Sequence, residues 1–143
     1  MPLVTVIAPN RSLDSSAQRA LMSRVSNAVL KAERAPIEDE GAQSLVWAYY
    51  HEMNENAIYV GSENLDKPPF RVSITTPEGA LTAETRQELV ADIGEIVDDI
   101  VGPYEDRLNH WVMLTELDEG SWAGGGQIFP LAGIQEAMNI KAA

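Results

Sequence analysis

The chain begins with Met1-Pro2-Leu3-Val4-Thr5-Val6-Ile7, and the rest of the sequence is organised around this segment. The residues after Pro2 are apolar or β-branched, which is typical of a buried strand. Removal of Met1 would leave Pro2 with a free secondary amine, held by its ring and by the strand behind it. The reference pKa of an α-amino group, roughly 7.7–8.0, lies near the range in which general acid–base catalysis works best. Pro2 is therefore a candidate catalytic residue.

The composition is that of an acidic globular protein. The chain has 143 residues, 45% of them hydrophobic, which predicts a single domain over residues 1–143. Its net charge of −12 argues against nucleic acid and anionic membranes as partners. The absence of cysteine excludes disulfides and thiolate-ligated metals, and no apolar run is long enough to span a membrane. We expect a cytoplasmic protein, in which an anionic substrate would need local cations.

A strand–helix–strand pattern occurs twice, in residues 2–61 and 70–126. In the first repeat, the pattern predicts strands over 2–8 and 45–50, a helix over 15–33 and a short strand over 57–60. In the second repeat, it predicts strands over 70–75 and 110–115 and a helix that Thr82 caps.

The two repeats align in register. Pro9 and Pro77 are 68 residues apart (77 − 9), and Trp47 and Trp111 are 64 residues apart (111 − 47). Such self-similarity indicates a duplicated β-α-β unit. Only the first copy can present an amine at Pro2, so the duplication is chemically asymmetric.

Two such units predict an α+β fold: a four-stranded mixed sheet with two helices on one face, plus short hairpin strands. The strands over 45–50 and 111–114 are apolar on both faces, so the face without helices should also be buried. Oligomerisation would cover it. The tail from Phe129 is expected to fold back over the site or over a neighbouring subunit.

The segment Val46-Trp47-Ala48-Tyr49-Tyr50-His51-Glu52-Met53, followed by Ile58-Tyr59-Val60-Gly61, resembles the 4-oxalocrotonate tautomerase pattern. Thr115-Glu116-Leu117-Asp118-Glu119-Gly120-Ser121-Trp122 repeats it. The doubled length is similar to the cis-3-chloroacrylic acid dehalogenase branch of the tautomerase superfamily. This resemblance implies a tautomerase/MIF-like fold, a homotrimer and no cofactor. It also implies that an N-terminal proline acts as base or acid on a small 2-oxo, enol or unsaturated carboxylic acid.

Several positions depart from the dehalogenase pattern. Its two carboxylate-binding arginines are matched here by Pro77 and Ala80, and its helix histidine by Val29. Glu116 matches its water-activating glutamate. His51 and His110 lack the paired spacing of metal ligands, so no metal site is expected.

The candidate site residues are therefore Pro2 and Glu116 for catalysis, and Arg11, Arg71, Tyr50 and Trp111 for substrate binding. Each has a plain structural alternative. The two arginines suit a carboxylate or serve as surface and edge-strand cations. Glu116 activates water or shares a hairpin role with its counterpart Glu52. The aromatic residues contact substrate or pack in a core or interface, although a tyrosine could donate to an enolate oxygen.

Three functions remain open at this point. The first is an enzyme that performs keto–enol tautomerisation, hydration, dehalogenation or decarboxylation. The second is a catalytically inactive trimeric binding or assembly protein of the same fold, which the missing arginines favour. The third is an unrelated ferredoxin-like small-molecule binder, expected as a monomer or dimer.

Overall fold

The structure, a computed structural model, describes residues 1–141 and contains one four-stranded sheet. Its strands are β1 (Leu3–Pro9), β2 (Trp47–Met53), β3 (Phe70–Pro77) and β4 (His110–Leu117), in the order β2-β1-β3-β4. The pairs β1–β2 and β3–β4 are parallel, and the antiparallel pair β1–β3 joins the two units. The predicted mixed sheet is confirmed, and β1 lies inside it.

The helices are α1 (Ser15–Ala32), α2 (Glu40–Leu45) and α3 (Ala83–Ile100). Asp14 caps the beginning of α1, because its side chain accepts a hydrogen bond from a backbone amide of the first turn. α3 begins with a reciprocal capping box between Thr82 and Thr85, so the predicted cap is confirmed. α1 and α3 pack on the same face of the sheet, where their apolar stripes meet alternate strand residues in one continuous core.

Two local predictions were wrong. Residues 45 and 46 precede β2, because Asp39 caps α2 and extends helical structure to Leu45. The short strand expected over 57–60 is absent, and a 3₁₀ helix, Glu55–Ala57, stands at its beginning. Side-chain amides explain this: Asn54 accepts from the amide of Asn56, and the Asn64 amide donates to the carbonyl oxygens of Asn56 and Ile58.

The face of the sheet opposite α1 and α3 is uncovered by residues 1–141 and carries large apolar side chains on its two outer strands. Trp47 and Tyr49 of β2, and Trp111 and Met113 of β4, are between 48% and 68% exposed. Exposed large apolar side chains on one face of a sheet are typical of a contact surface. We refer to these four residues and the strand surface between them as the open face.

The tail folds back onto the beginning of β1. After the hairpin of β5 (Ala123–Gly124) and β6 (Gln127–Ile128), the chain forms α4 (Leu131–Ala137). Ile134 and Met138 are buried in a second apolar cluster, and Met1 packs against it. Within residues 1–141, no helix is long and apolar enough to cross a membrane.

Candidate active site

Pro2 is buried at the entrance to β1, on the side of the sheet that faces the helices. Its carbonyl oxygen accepts a hydrogen bond from the amide of Trp47 at 3.2 Å, so the sheet pairing extends to this residue. The backbone of Pro2 is therefore fixed by its neighbours and does not fray.

Three residues form a row across the sheet at this end. Leu3 pairs with Thr75 and Thr76 pairs with Glu116, so extending the register by one residue places Pro2 opposite Thr76. Adjacent strands lie about 4.8 Å apart, which puts the Cα atoms of Pro2 and Glu116 about 10 Å from each other. The Thr76 hydroxyl, 1% exposed as a residue, finds no hydrogen-bond partner within residues 1–141. The row thus joins both predicted catalytic residues through an unsatisfied buried hydroxyl.

Glu116 forms an ion pair with Arg86 of α3, and its oxygen Oε1 accepts from the guanidinium. At the repeat offset of 68 the counterpart of Arg86 is Gln18 (86 − 68), while Glu52 corresponds to Glu116. Because the first repeat has glutamine in place of this arginine, it cannot form the same pair. The ion pair is therefore specific to the second repeat, whose strand β3 lies next to β1.

Glu33 is the charged group nearest to the beginning of the chain. Its carboxylate oxygen Oε2 accepts from the amine of Met1 at 3.3 Å, and the same amine donates to the sulfur of Met138 at 2.7 Å. Glu33 is only 3% exposed, and its second oxygen, Oε1, has no partner in the described chain. One oxygen of this buried carboxylate therefore lacks a hydrogen bond, next to Met1.

The C-terminal end of α1 holds Glu33 in this position. The amide of Ala35 donates to the carbonyl of Leu30, and the amide of Arg34 donates to that of Lys31, which is a Schellman motif. Arg34 adopts the left-handed conformation that such a motif requires (φ 62°). This turn directs Glu33 inward, although an acidic side chain at a helix C-terminus opposes the helix dipole.

Burial shifts both groups of this pair toward their neutral forms. It raises the pKa of the Glu33 carboxyl above its ordinary value of 4.5, and the positive Met1 amine offsets only part of that effect. Burial also lowers the pKa of the Met1 amine below its ordinary value of 8.0, against the opposing charge of Glu33. The surroundings therefore favour a neutral carboxyl beside a neutral amine.

Replacing Glu33 with glutamine is expected to increase the stability of the protein at neutral pH. The folded-state pKa of Glu33 is raised, so the native state binds more protons than the unfolded state above pH 4.5, and its stability falls as pH rises through that window. Glutamine does not titrate. The gain in the free energy of unfolding should therefore be larger at about pH 7 than at about pH 4 in urea titrations. Glu38→Gln, at an exposed carboxylate of the next loop, is the control; an equal pH dependence of both variants would contradict the assignment.

A cavity of about 520 Å³ opens at the same end of the molecule. Glu33 and Arg34 line it from the turn after α1, Ala80 from the loop before α3, Thr85 from the first turn of α3, and Gln135 from α4. It also contains the charged groups Glu136 and Lys141. The cavity thus combines a buried acid with cations at its exposed rim, and α4 forms one wall.

The other predicted residues lie elsewhere in the chain. Arg11 follows β1, in a turn with φ 61°. Arg71 pairs with Trp111 at the end of the sheet where β1 finishes. Both residues line a groove of about 620 Å³ on the edge of the open face. The seven residues of β1 separate Pro2 from Arg11 by roughly 20 Å or more. One chain therefore brings Pro2 and Glu116 together and leaves Arg11, Arg71 and Trp111 at the opposite end.

Tyr50 lies between the two ends, in register with Val6 on the helix-covered face. Burial raises the pKa of its hydroxyl, and that hydroxyl has no clear partner within residues 1–141. No cluster of three or more His, Cys, Asp or Glu side chains in that part of the chain is arranged to hold a metal ion.

Comparisons with known proteins identify the fold. No protein-family model matches the chain, and no curated protein sequence matches it. Solved structures do: a fused 4-OT asymmetric trimer called R7 is 16% identical, with a TM-score of 0.73 over 88% of this chain and 94% of that one. The macrophage migration inhibitory factor of Toxoplasma gondii is 18% identical, with a TM-score of 0.68 over 89% and 99%.

A third match is N1, a member of the cis-3-chloroacrylic acid dehalogenase family. It is 16% identical, with a TM-score of 0.71 over 94% of this chain and 87% of that one. The chain therefore has the doubled β-α-β fold of the tautomerase superfamily, and the resemblance drawn from the sequence is confirmed at the level of fold.

Proposed function

We propose that the protein is a cofactor-independent enzyme of the tautomerase type that uses Pro2 as a general base or acid. The substrate is a small 2-oxo, enol or unsaturated carboxylic acid. The observation that carries this proposal is the burial of Pro2 in a row with Thr76 and Glu116, next to the buried carboxylate of Glu33. Unsatisfied polar atoms concentrated around a fixed backbone nitrogen are typical of a functional site.

Removal of Met1 is the step that creates the site. It turns the nitrogen of Pro2 from an amide into a secondary amine, and it empties the space that Met1 fills against α4. A planar acid of a few carbons could enter that space from the cavity. The amine then lies beside the reacting carbon, and proton transfer between carbon and oxygen completes the tautomerisation.

Glu116 has a supporting role in this proposal. Its ion pair with Arg86 fixes the position of the carboxylate beside the row that contains Pro2. An ionised carboxylate can activate water for hydration or dehalogenation, and it can also stabilise a protonated Pro2. Keto–enol tautomerisation needs only the proton transfer and is the simplest reaction of this class.

A homotrimer would complete the site. The R7 structure is described as a trimer, and the open face offers this chain a surface for the same assembly. Arg11 and Arg71, remote from Pro2 in their own chain, would then bind the substrate carboxylate at a neighbouring subunit's Pro2. Trp111, next to Arg71 in the sheet, would form part of that contact.

The test is a substrate screen on protein of defined N-terminus. Mass spectrometry first establishes that Met1 is absent. The protein is then assayed with phenylenolpyruvate, 2-hydroxymuconate, haloacrylic acids and acetylene acids. Saturable turnover of any of these supports the proposal. Retained Met1, which leaves the Pro2 nitrogen acylated, or no turnover by a processed trimer would overturn it.

One observation favours the second candidate, an inactive trimeric binding or assembly protein. Ala80, which matches an arginine of the dehalogenase, lines the cavity and contributes no charge there. Such a protein would remain trimeric and bind the same acids without converting them. Isothermal titration of a screened acid that shows binding but no turnover would support this alternative.

A further inference from the structure

We propose that Glu33 is a second proton-transfer residue of the site, which donates a proton to the substrate oxygen while the nitrogen of Pro2 takes one from carbon. This inference rests on the proposed function, because it needs Pro2 as the terminal residue. It assigns a catalytic group that the sequence patterns did not single out. Glu33 has no counterpart among the dehalogenase positions considered above.

The first step of the argument is distance. The Met1 amine lies 3.3 Å from Glu33 Oε2. Standard bond lengths place the Pro2 nitrogen within about 3.7 Å of the Met1 nitrogen. Once Met1 leaves, the new amine is therefore within about 7 Å of the carboxylate. A substrate carbonyl and its neighbouring carbon can fill that gap, with one atom toward each group.

The second step is isolation from other charges. Glu33 is 3% exposed, and within residues 1–141 the charge that affects its pKa is the Met1 amine. The other charged groups of the cavity, Arg34, Glu136 and Lys141, lie at its exposed rim. Two buried ionisable groups that lie close together influence each other's protonation.

The third step is the form of the two groups. Burial and the C-terminal end of α1 both disfavour a charged carboxylate at position 33, and burial disfavours a charged amine at Met1. A carboxyl shifted toward its neutral form can donate a proton, and an amine shifted toward its neutral form can accept one, which is the arrangement that tautomerisation requires.

The reaction then balances without any other group. The Pro2 nitrogen takes the proton from the carbon next to the carbonyl, and the C–H electron pair forms the carbon–carbon double bond. The carbonyl π pair moves to oxygen, which takes the proton of the Glu33 carboxyl. The substrate leaves as its enol, and the ammonium returns its proton to the carboxylate. The reverse sequence converts an enol into the keto form.

This assignment separates two roles in the site. A protonated carboxyl can donate directly to the developing enolate oxygen, so that charge needs no cation. The substrate carboxylate still needs a cation, which Pro77 and Ala80 do not supply. Arg34 and Lys141 at the rim of the cavity offer one in the same chain, as an alternative to Arg11 and Arg71 of a neighbouring subunit.

The test is the titration of the Pro2 nitrogen by ¹⁵N NMR in processed protein, compared between wild type and Glu33→Gln. In the wild type, the nitrogen should report two coupled steps. In Glu33→Gln, only the step of the nitrogen itself should remain, because glutamine does not ionise. Glu33→Asp should keep both steps, and Glu38→Gln should leave the titration unchanged. A Glu33→Gln titration identical to that of wild type overturns the inference.

Kinetics provide the second readout. With any acid that is turned over, Glu33→Gln should lower kcat by about 100-fold with little change in KM. Unchanged kcat in this variant, beside a Pro2 variant that is inactive, would reject Glu33 while the proposed function stands. If no acid is turned over, the NMR titration still decides whether the titrations of the two groups are coupled. Circular dichroism and light scattering show that each variant keeps its fold and assembly.

Discussion

Pro2→Ala is expected to lower kcat/KM by about 100-fold or more for any acid that the protein turns over. Alanine is small enough to permit removal of Met1, so the variant still presents an amine at the same backbone position. It loses the ring that fixes the nitrogen's orientation, and it exchanges a secondary amine for a primary one. Steady-state kinetics over the full pH range are the measurement, because a shifted pH optimum separates a changed amine from a damaged fold.

Two controls make this result specific. Pro36→Ala applies the same change to an exposed proline and should leave kcat/KM unchanged. Insertion of alanine between Met1 and Pro2 converts the Pro2 nitrogen into an amide, and the new terminal amine is displaced by one residue. That variant should be the least active of the three. Full activity in both Pro2→Ala and the insertion variant would remove Pro2 from the mechanism.

The sheet and its two long helices could be predicted because each rests on local periodicity. Apolar residues alternate along β1 and β3, and recur at helical spacing along α1 and α3. The duplication also helped to predict which strands pair, because a repeated β-α-β unit is compatible with few topologies. These features need no knowledge of which residues meet across the fold.

The short elements depended on single side chains that a periodicity argument overlooks. α2 exists because Asp39 accepts from the amide of Ala42, and an acidic cap followed by Glu40 was the signal for it. The expected strand at 57–60 was replaced because Asn64 binds two of the carbonyl groups near it. In both cases, a polar side chain outweighed a weak strand propensity.

The candidate site was predictable only in part, for a related reason. Pro2 and Glu116 follow from motif and repeat position, but their partners come from distant parts of the chain. Arg86 is 30 residues from Glu116, and Glu33 reaches the amine of Met1 from the far end of α1. One signal for Glu33 was in the sequence. An acidic residue at the C-terminal end of a helix interacts unfavourably with the helix dipole, so its presence there indicates another role.

Trp111→Asp is expected to dissociate the protein into monomers and to abolish most of its activity. Trp111 is 68% exposed on the open face, and burying the rest of a side chain of roughly 200 Å² at about 25 cal/mol per Å² contributes about 3 kcal/mol for each subunit. An aspartate at this position removes that contribution and adds the cost of burying an unpaired charge. Light scattering should show the mass of one chain for the variant and of three chains for the wild type.

The activity of that monomer separates the two ways in which the site could be built. If Arg11 and Arg71 act on a neighbouring subunit's Pro2, the monomer retains Pro2 and Glu33 but loses both arginines, so KM rises sharply and kcat falls less. If the cations of a single chain suffice, the monomer keeps its KM. Val90→Asp, on the exposed surface of α3 at 42% exposure, introduces the same charge away from the open face and should preserve both the trimer and its kinetics. A wild-type protein that is monomeric at working concentration would contradict the assembly, because no second copy of the chain would then cover the open face.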